Sequence, residues 1–161
     1  MELKLPLSIV SRFDVSRLLR ELNTLDDFFA GNKVQPAGSK LPLPRLSRLL
    51  NELANENRIN LLDEPQRRNL QQVLQQLLKQ APQLQISFSV EPAPKTLEKI
   101  LAWLRQNIDP FVLLQVGLQP NVSAGFMLRT PNKWFDLSLR PRFEQQRPYL
   151  TELISGADHG R

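Results

Sequence analysis

The chain has no cysteine and a single histidine. Without cysteine, disulfides, thiolate nucleophiles and zinc–thiolate centres are excluded, and nothing points to an oxidising compartment. The one histidine, His159, stands in the tail Ser155–Arg161 between an aspartate and a glycine. A terminus of that composition gives an imidazole no packed support, so neither a catalytic nor a metal-ligating role is expected of it. There are only six glycines, and neither Gly-x-x-x-x-Gly-Lys nor Gly-x-Gly-x-x-Gly occurs, so no nucleotide loop is expected. No serine sits in a nucleophile elbow. Adjacent acidic pairs occur at Asp26-Asp27 and Asp63-Glu64. Neither has calcium-loop spacing; the first reads as helix-surface charge and the second as helix capping. No catalytic, cofactor-binding or metal-binding residues are assigned, and the chain is not expected to be an enzyme.

Long apolar runs are also missing. No segment approaches the roughly 20 residues that span a bilayer. The start, Met1–Pro6, lacks a basic stretch followed by an apolar one, so no signal peptide is expected. The expectation is a soluble protein that reaches a membrane only through partners. The charge excess is modest, 21 Lys and Arg against 16 Asp and Glu, a net +5. It is spread evenly: residues 1–82 carry 12 basic against 9 acidic side chains, and residues 83–161 carry 9 against 7. Phosphate binding needs clustered cations, so no nucleic-acid partner is expected.

What is present is a pattern that changes period once. From Asp14 to Phe29, apolar residues fall at 15, 18, 19, 22, 25 and 29, which is helical spacing, with Asp14 as the expected N-cap. Gly31, Pro36, Gly38, Pro42 and Pro44 mark a loop. A second helix is expected from about Pro44 to Asn57. A third starts at Asp63, with Gln66 placed for a capping box and Pro65 suited to the first turn. Its buried stripe is Leu70, Val73, Leu74, Leu77 and Leu78, and it ends before Pro82.

Beyond Pro82 the period drops to two. Leu84–Val90 alternates apolar and polar residues, as a strand with one buried face does. A helix with Leu97, Ile100, Leu101, Leu104 and Ile108 on one side follows. Three more strands are expected at Val112–Leu118, Ala124–Arg129 and Lys133–Leu139. Thr130-Pro131-Asn132 should close the last two into a hairpin. A final helix begins near Arg140-Pro141. The fold class is therefore α+β: a helical module of about three helices over 1–82, then β-α-β-β-β-α over 83–161, a four-stranded sheet with two helices. The tail from about residue 156 is expected to fray. Trp103 and Trp134 read as core or interface residues, with base stacking as the other option. Gly125, inside a strand, signals a bulge or close backbone approach. Arg129, Asp136, Arg140 and Arg142 are candidates for a polar network joining hairpin and helix.

The segments Gln119–Arg129 and Phe135–Phe143 resemble the C-terminal signature of the delta subunit of F-type ATP synthases, the oligomycin-sensitivity-conferring family. The elements that carry the likeness are Ala124-Gly125, the apolar strand ending in Arg129, Asp136-x-Ser138 and Arg140-x-Arg142. Leu49–Leu62 is similar to a helix end of the same family, and the likeness extends over about residues 45–155. The chain departs from the pattern at Gln119, Leu137 and Pro141. It also has room for three helices where the family builds a six-helix bundle.

The resemblance implies a non-catalytic stator subunit with no cofactor. The C-terminal part would meet the peripheral-stalk b subunit and the helical module an alpha subunit of the catalytic head. The complex would lie at the cytoplasmic side of the cell membrane, and an α+β module that grips a stalk should present apolar side chains on its free surface. Two other readings stay open: an interaction adaptor outside any synthase, and a small RNA-binding module using Phe88, Trp134 and scattered arginines.

Overall fold

The computed structural model describes residues 3–33, 44–120, 125–130, 133–139 and 144–148. The fold is α+β. Four helices, α1 (Arg12–Lys33), α2 (Arg48–Glu56), α3 (Glu64–Gln80) and α4 (Pro94–Asn107), accompany four strands, β1 (Gln83–Phe88), β2 (Leu113–Leu118), β3 (Gly125–Arg129) and β4 (Trp134–Ser138). Residues 144–148 are also helical. Every strand expected from the period-two pattern is present; β1 starts one residue early and ends two residues short of Val90, and the other three are trimmed by one residue at one or both ends.

The helix termini follow local chemistry, with two differences from the sequence reading. Helix α1 is capped by Ser11, three residues before the expected Asp14. The Ser11 hydroxyl accepts from the Asp14 amide at 3.3 Å, and Asp14 Oδ2 accepts from the Ser11 amide at 2.8 Å. This is a capping box with aspartate in the place usually taken by glutamate or glutamine. At α3, Asp63 occupies the N-cap position but makes no side-chain capping bond. Gln66 reaches instead to the Asn60 amide at 2.8 Å, so the capping box expected there does not form.

Helix α2 has Ser47 as N-cap, its hydroxyl accepting from Leu50 N. It ends in a Schellman motif: Arg58 N donates to Asn55 O, Ile59 N donates to Ala54 O, and Arg58 takes the left-handed conformation at φ 54. Ile59 thereby enters the core.

The chain forms two compact units, interleaved in sequence rather than divided at 82/83. One comprises residues 1–83 with 94–114, the other 84–93 with 115–161. The first unit thus takes α4 and the start of β2 as well as the three N-terminal helices. The cause is Arg105 on α4. Its guanidinium donates to the carbonyls of Leu5 at 3.0 Å, Pro6 at 2.9 Å and Ile9 at 2.6 Å. Leu114 N adds a bond to Val10 O at 2.8 Å. Burial pushes the Arg105 pKa down to about 10, with Glu56 partly offsetting, so the group stays charged at neutral pH. The Asn57 amide fixes the same N-terminal segment by pairing with both backbone groups of Lys4, at 2.7 and 2.8 Å.

The core of this unit joins Val15, Leu18, Leu22 and Leu25 of α1, Leu50 and Leu53 of α2, and Leu70, Leu74 and Leu77 of α3. Each fully buried leucine contributes about 1.5–3 kcal/mol. On α3 the buried series starts one step earlier than expected, at Arg67, which is only 2% exposed. It lies three residues before Leu70, in line with the leucines. Arg67 Nε bonds Asp26 Oδ1 on α1 at 2.6 Å, and Nη1 bonds Leu61 O at 2.9 Å. The guanidinium lies over the Phe29 ring at 4.5 Å. Gln71 Nε2 binds the other Asp26 oxygen at 2.7 Å. Asp26 is therefore an interhelical ion-pair partner, unlike Asp27, which is exposed.

Removing one partner of such a pair leaves a buried charge alone. Asp26→Ala should lower unfolding stability by about 3 kcal/mol, the low end for a buried pair because Asp26 keeps some solvent contact. Asp27→Ala should stay within about 0.5 kcal/mol. Urea denaturation of both variants checks this.

Candidate interaction surfaces

The sheet has the order β2-β1-β3-β4. Leu113 N donates to Pro82 O, and Gln119 N to Phe88 O. Starts adjoin starts and ends adjoin ends, so β1 and β2 run parallel. β1 and β3 pair antiparallel, with Ile86 opposite Leu128 and Phe88 opposite Phe126. β3 and β4 pair antiparallel, with Phe126 opposite Leu137 and Arg129 opposite Trp134. The hairpin expected at Thr130–Lys133 is present. Thr130 N and Oγ1 donate to Lys133 O at 2.8 and 3.0 Å, and Lys133 N donates back to Thr130 Oγ1 at 2.9 Å. Pro131 and Asn132 lie outside the described residues.

Because strand side chains alternate, this register sorts the residues into two faces. Ile86, Phe88, Phe126, Leu128, Phe135 and Leu137 share one. Gln85, Ser87, Met127, Arg129, Trp134 and Asp136 share the other. On the apolar face the two central strands are covered, with Ile86, Phe88 and Leu128 buried. The outer strand is not: Phe135 is 44% and Leu137 52% exposed. Trp134 on the opposite face is 63% exposed, and Leu139 just past the strand is 41% exposed. On the other edge strand Leu118 is 62% exposed. Trp103 on α4 is also exposed, at 58%. Neither tryptophan is a core residue, which removes one of the roles the sequence allowed them.

The residues singled out by sequence fall as follows. Gly125 opens β3 opposite Ser138 and has φ 95. That positive φ, which an L residue rarely adopts, favours glycine here. Arg129 and Asp136 are exposed and sit diagonally on one face, since Arg129 faces Trp134 and Asp136 faces Met127. Ala124, Arg140 and Arg142 lie outside the described residues, so the part of the polar network assigned to them does too.

Among the described residues no three His, Asp or Glu side chains cluster as metal ligands, and no helix is long and apolar enough to cross a membrane. The helical unit contains a hollow of about 500 Å³ lined mainly by Leu3, Val73, Leu77, Ala81 and Phe111, with Asp109 the one acid among the described residues on its wall. Asp109 Oδ1 accepts from Phe111 N at 2.7 Å, so that carboxylate serves the turn. The arrangement offers surfaces for contact: an apolar outer strand and exposed aromatics. A scan against protein-family models and a search of curated proteins return no match.

Two outcomes are expected of the hairpin. Gly125→Ala forces an L residue into a sparsely populated conformation and should cost about 1–3 kcal/mol in thermal or urea unfolding. A double-mutant cycle of Arg129→Ala and Asp136→Ala should give a coupling of about 1 kcal/mol or less, as for solvent-exposed pairs. A larger coupling would show that the two share a buried network.

Proposed function

We propose that this chain is a non-catalytic stator subunit of a rotary F-type ATP synthase, tying the catalytic head to the peripheral stalk. The observation that carries the reading is the outer strand β4. Trp134, Phe135 and Leu137 lie open to solvent in the same segment that holds the family-like Asp136-x-Ser138. Exposed aromatic and aliphatic side chains grouped on one strand suit a protein partner, because interface cores favour such residues and disfavour charge. The α+β order, helices first and sheet after, is also that of the resembled family. On this reading the sheet unit meets the stalk b subunit and the helical unit meets an alpha subunit. The protein then lies at the cytoplasmic side of the membrane, held there by its partners.

The mechanism is mechanical. Torque on the rotor drags the head with it unless a clamp ties the head to a fixed stalk. Such a clamp needs interface area with a few buried anchors, and requires no acid, base or cofactor. The second reading, an adaptor outside any synthase, draws on the same β4 surface and differs only in what binds there.

Affinity capture from native membranes separates the two. The tagged chain should retain alpha and b subunits together, and Leu137→Asp should lower b-subunit recovery at least about tenfold while leaving the melting temperature within a few degrees. Recovery of other proteins without synthase subunits would favour the adaptor.

A further inference from the structure

The sequence spreads its cations evenly, but the helical unit gathers three of them. Arg17, Arg20, Glu21 and Thr24 lie at i, i+3, i+4 and i+7 on α1, and so on neighbouring turns of one helix side. Arg45 and Ser47, on the approach to α2, face them across a groove of about 380 Å³. The three arginines are exposed. Arg20 lies over the Phe13 ring at 5.8 Å. The ion pairs among the described residues use Arg48, Arg67 and Arg68, and none uses Arg17, Arg20 or Arg45. Glu21 forms part of the groove wall. Its Oε1 accepts from the Ser47 amide, while its Oε2 is buried with no hydrogen-bond partner. An acceptor in that state is costly unless something fills it.

We propose that this groove docks an acidic segment of a partner protein. The occupant must bring several anions for three guanidinium forks. An acidic peptide supplies side-chain carboxylates that pair with arginine in bidentate fashion. Half-buried Leu46 adds an apolar contact that a peptide side chain can use. The site lies wholly in the helical unit and does not depend on the stator reading.

The test is fluorescence anisotropy of a fluorescein-labelled decaglutamate peptide with the full chain at low ionic strength, where exposed charges act most strongly. The peptide should bind saturably, and the triple variant R17A/R20A/R45A should weaken it about tenfold or more. A charge-matched control, K95A/K99A/K133A, should change it by no more than about twofold. Both variants should melt with the parent, since their side chains are exposed. Equal weakening by the two variants would overturn the proposal, because net charge alone would then hold the peptide. So would absence of binding, or competition by decauridylate or inorganic phosphate that exceeds that of unlabelled decaglutamate.

Discussion

The helical unit depends on the ion pair between Arg67 and Asp26. The leucines of α1 and α3 attract one another without direction, since burial rewards area and not alignment. Two leucine stripes can slip past each other by one helical turn and bury similar surface. A buried guanidinium cannot slip. Taking it out of water costs several kcal/mol, which only matched partners offset. Asp26 is within reach in one register, with Gln71 on its second oxygen and Phe29 beneath the guanidinium. The pair therefore adds to this unit a register that the leucines leave unspecified.

Arg105 applies the same physics to the backbone. Its donors meet carbonyls of the N-terminal segment, which lies outside regular secondary structure and would otherwise leave polar groups unsatisfied near the core. One side chain thus holds α4 to residues about a hundred positions away in sequence, and this explains why the compact units do not follow the change in hydrophobic period. Arg17, Arg20 and Arg45 are different. They remain exposed to water and form no ion pair among the described residues, and an exposed guanidinium costs little to keep charged. Buried arginine serves here as an internal clamp, whereas these three exposed arginines take no part in the ion pairs among the described residues.

Most elements were legible in the sequence because burial imposes period. The 3.6-residue spacing located α1, α3 and α4, and the alternation at Leu84–Val90 located β1. The turn residues Thr130–Asn132 placed the β3–β4 hairpin. What escaped was set by pairing across distance. Arg67 occupies a stripe position but looks like surface charge until Asp26, 41 residues earlier, is brought beside it. The Ser11 cap was missed because Asp14 is itself a good cap, and only geometry decides which of the two accepts from the first turn. The arginine groove was invisible to a count of charge by halves, since Arg45 is distant in sequence from Arg17 and Arg20. The one local hint was the pair Arg17–Arg20 at helical spacing. The positive φ of Gly125 was not legible either, since a strand position in the sequence carries no dihedral angle.

The sheet carries the strongest constraint on what this protein does. Its central strands are covered on their apolar face, so the order β2-β1-β3-β4 is already stabilised at the middle. At the margin, β4 keeps Phe135 and Leu137 on that same face and Trp134 on the other. An edge strand also offers unpaired backbone groups, and proteins usually blunt such edges with charge, proline or bulges. β4 has one charge, Asp136, between two apolar residues. A strand so lightly protected is a liability in isolation and an asset in an assembly, where a partner covers the aromatic and aliphatic side chains. The positive φ of Gly125 lies at the same margin, opposite Ser138 at the far end of β4. On the stator reading proposed above, the buried centre and exposed outer strand seen among the described residues make β4 the part of this unit that a partner would cover.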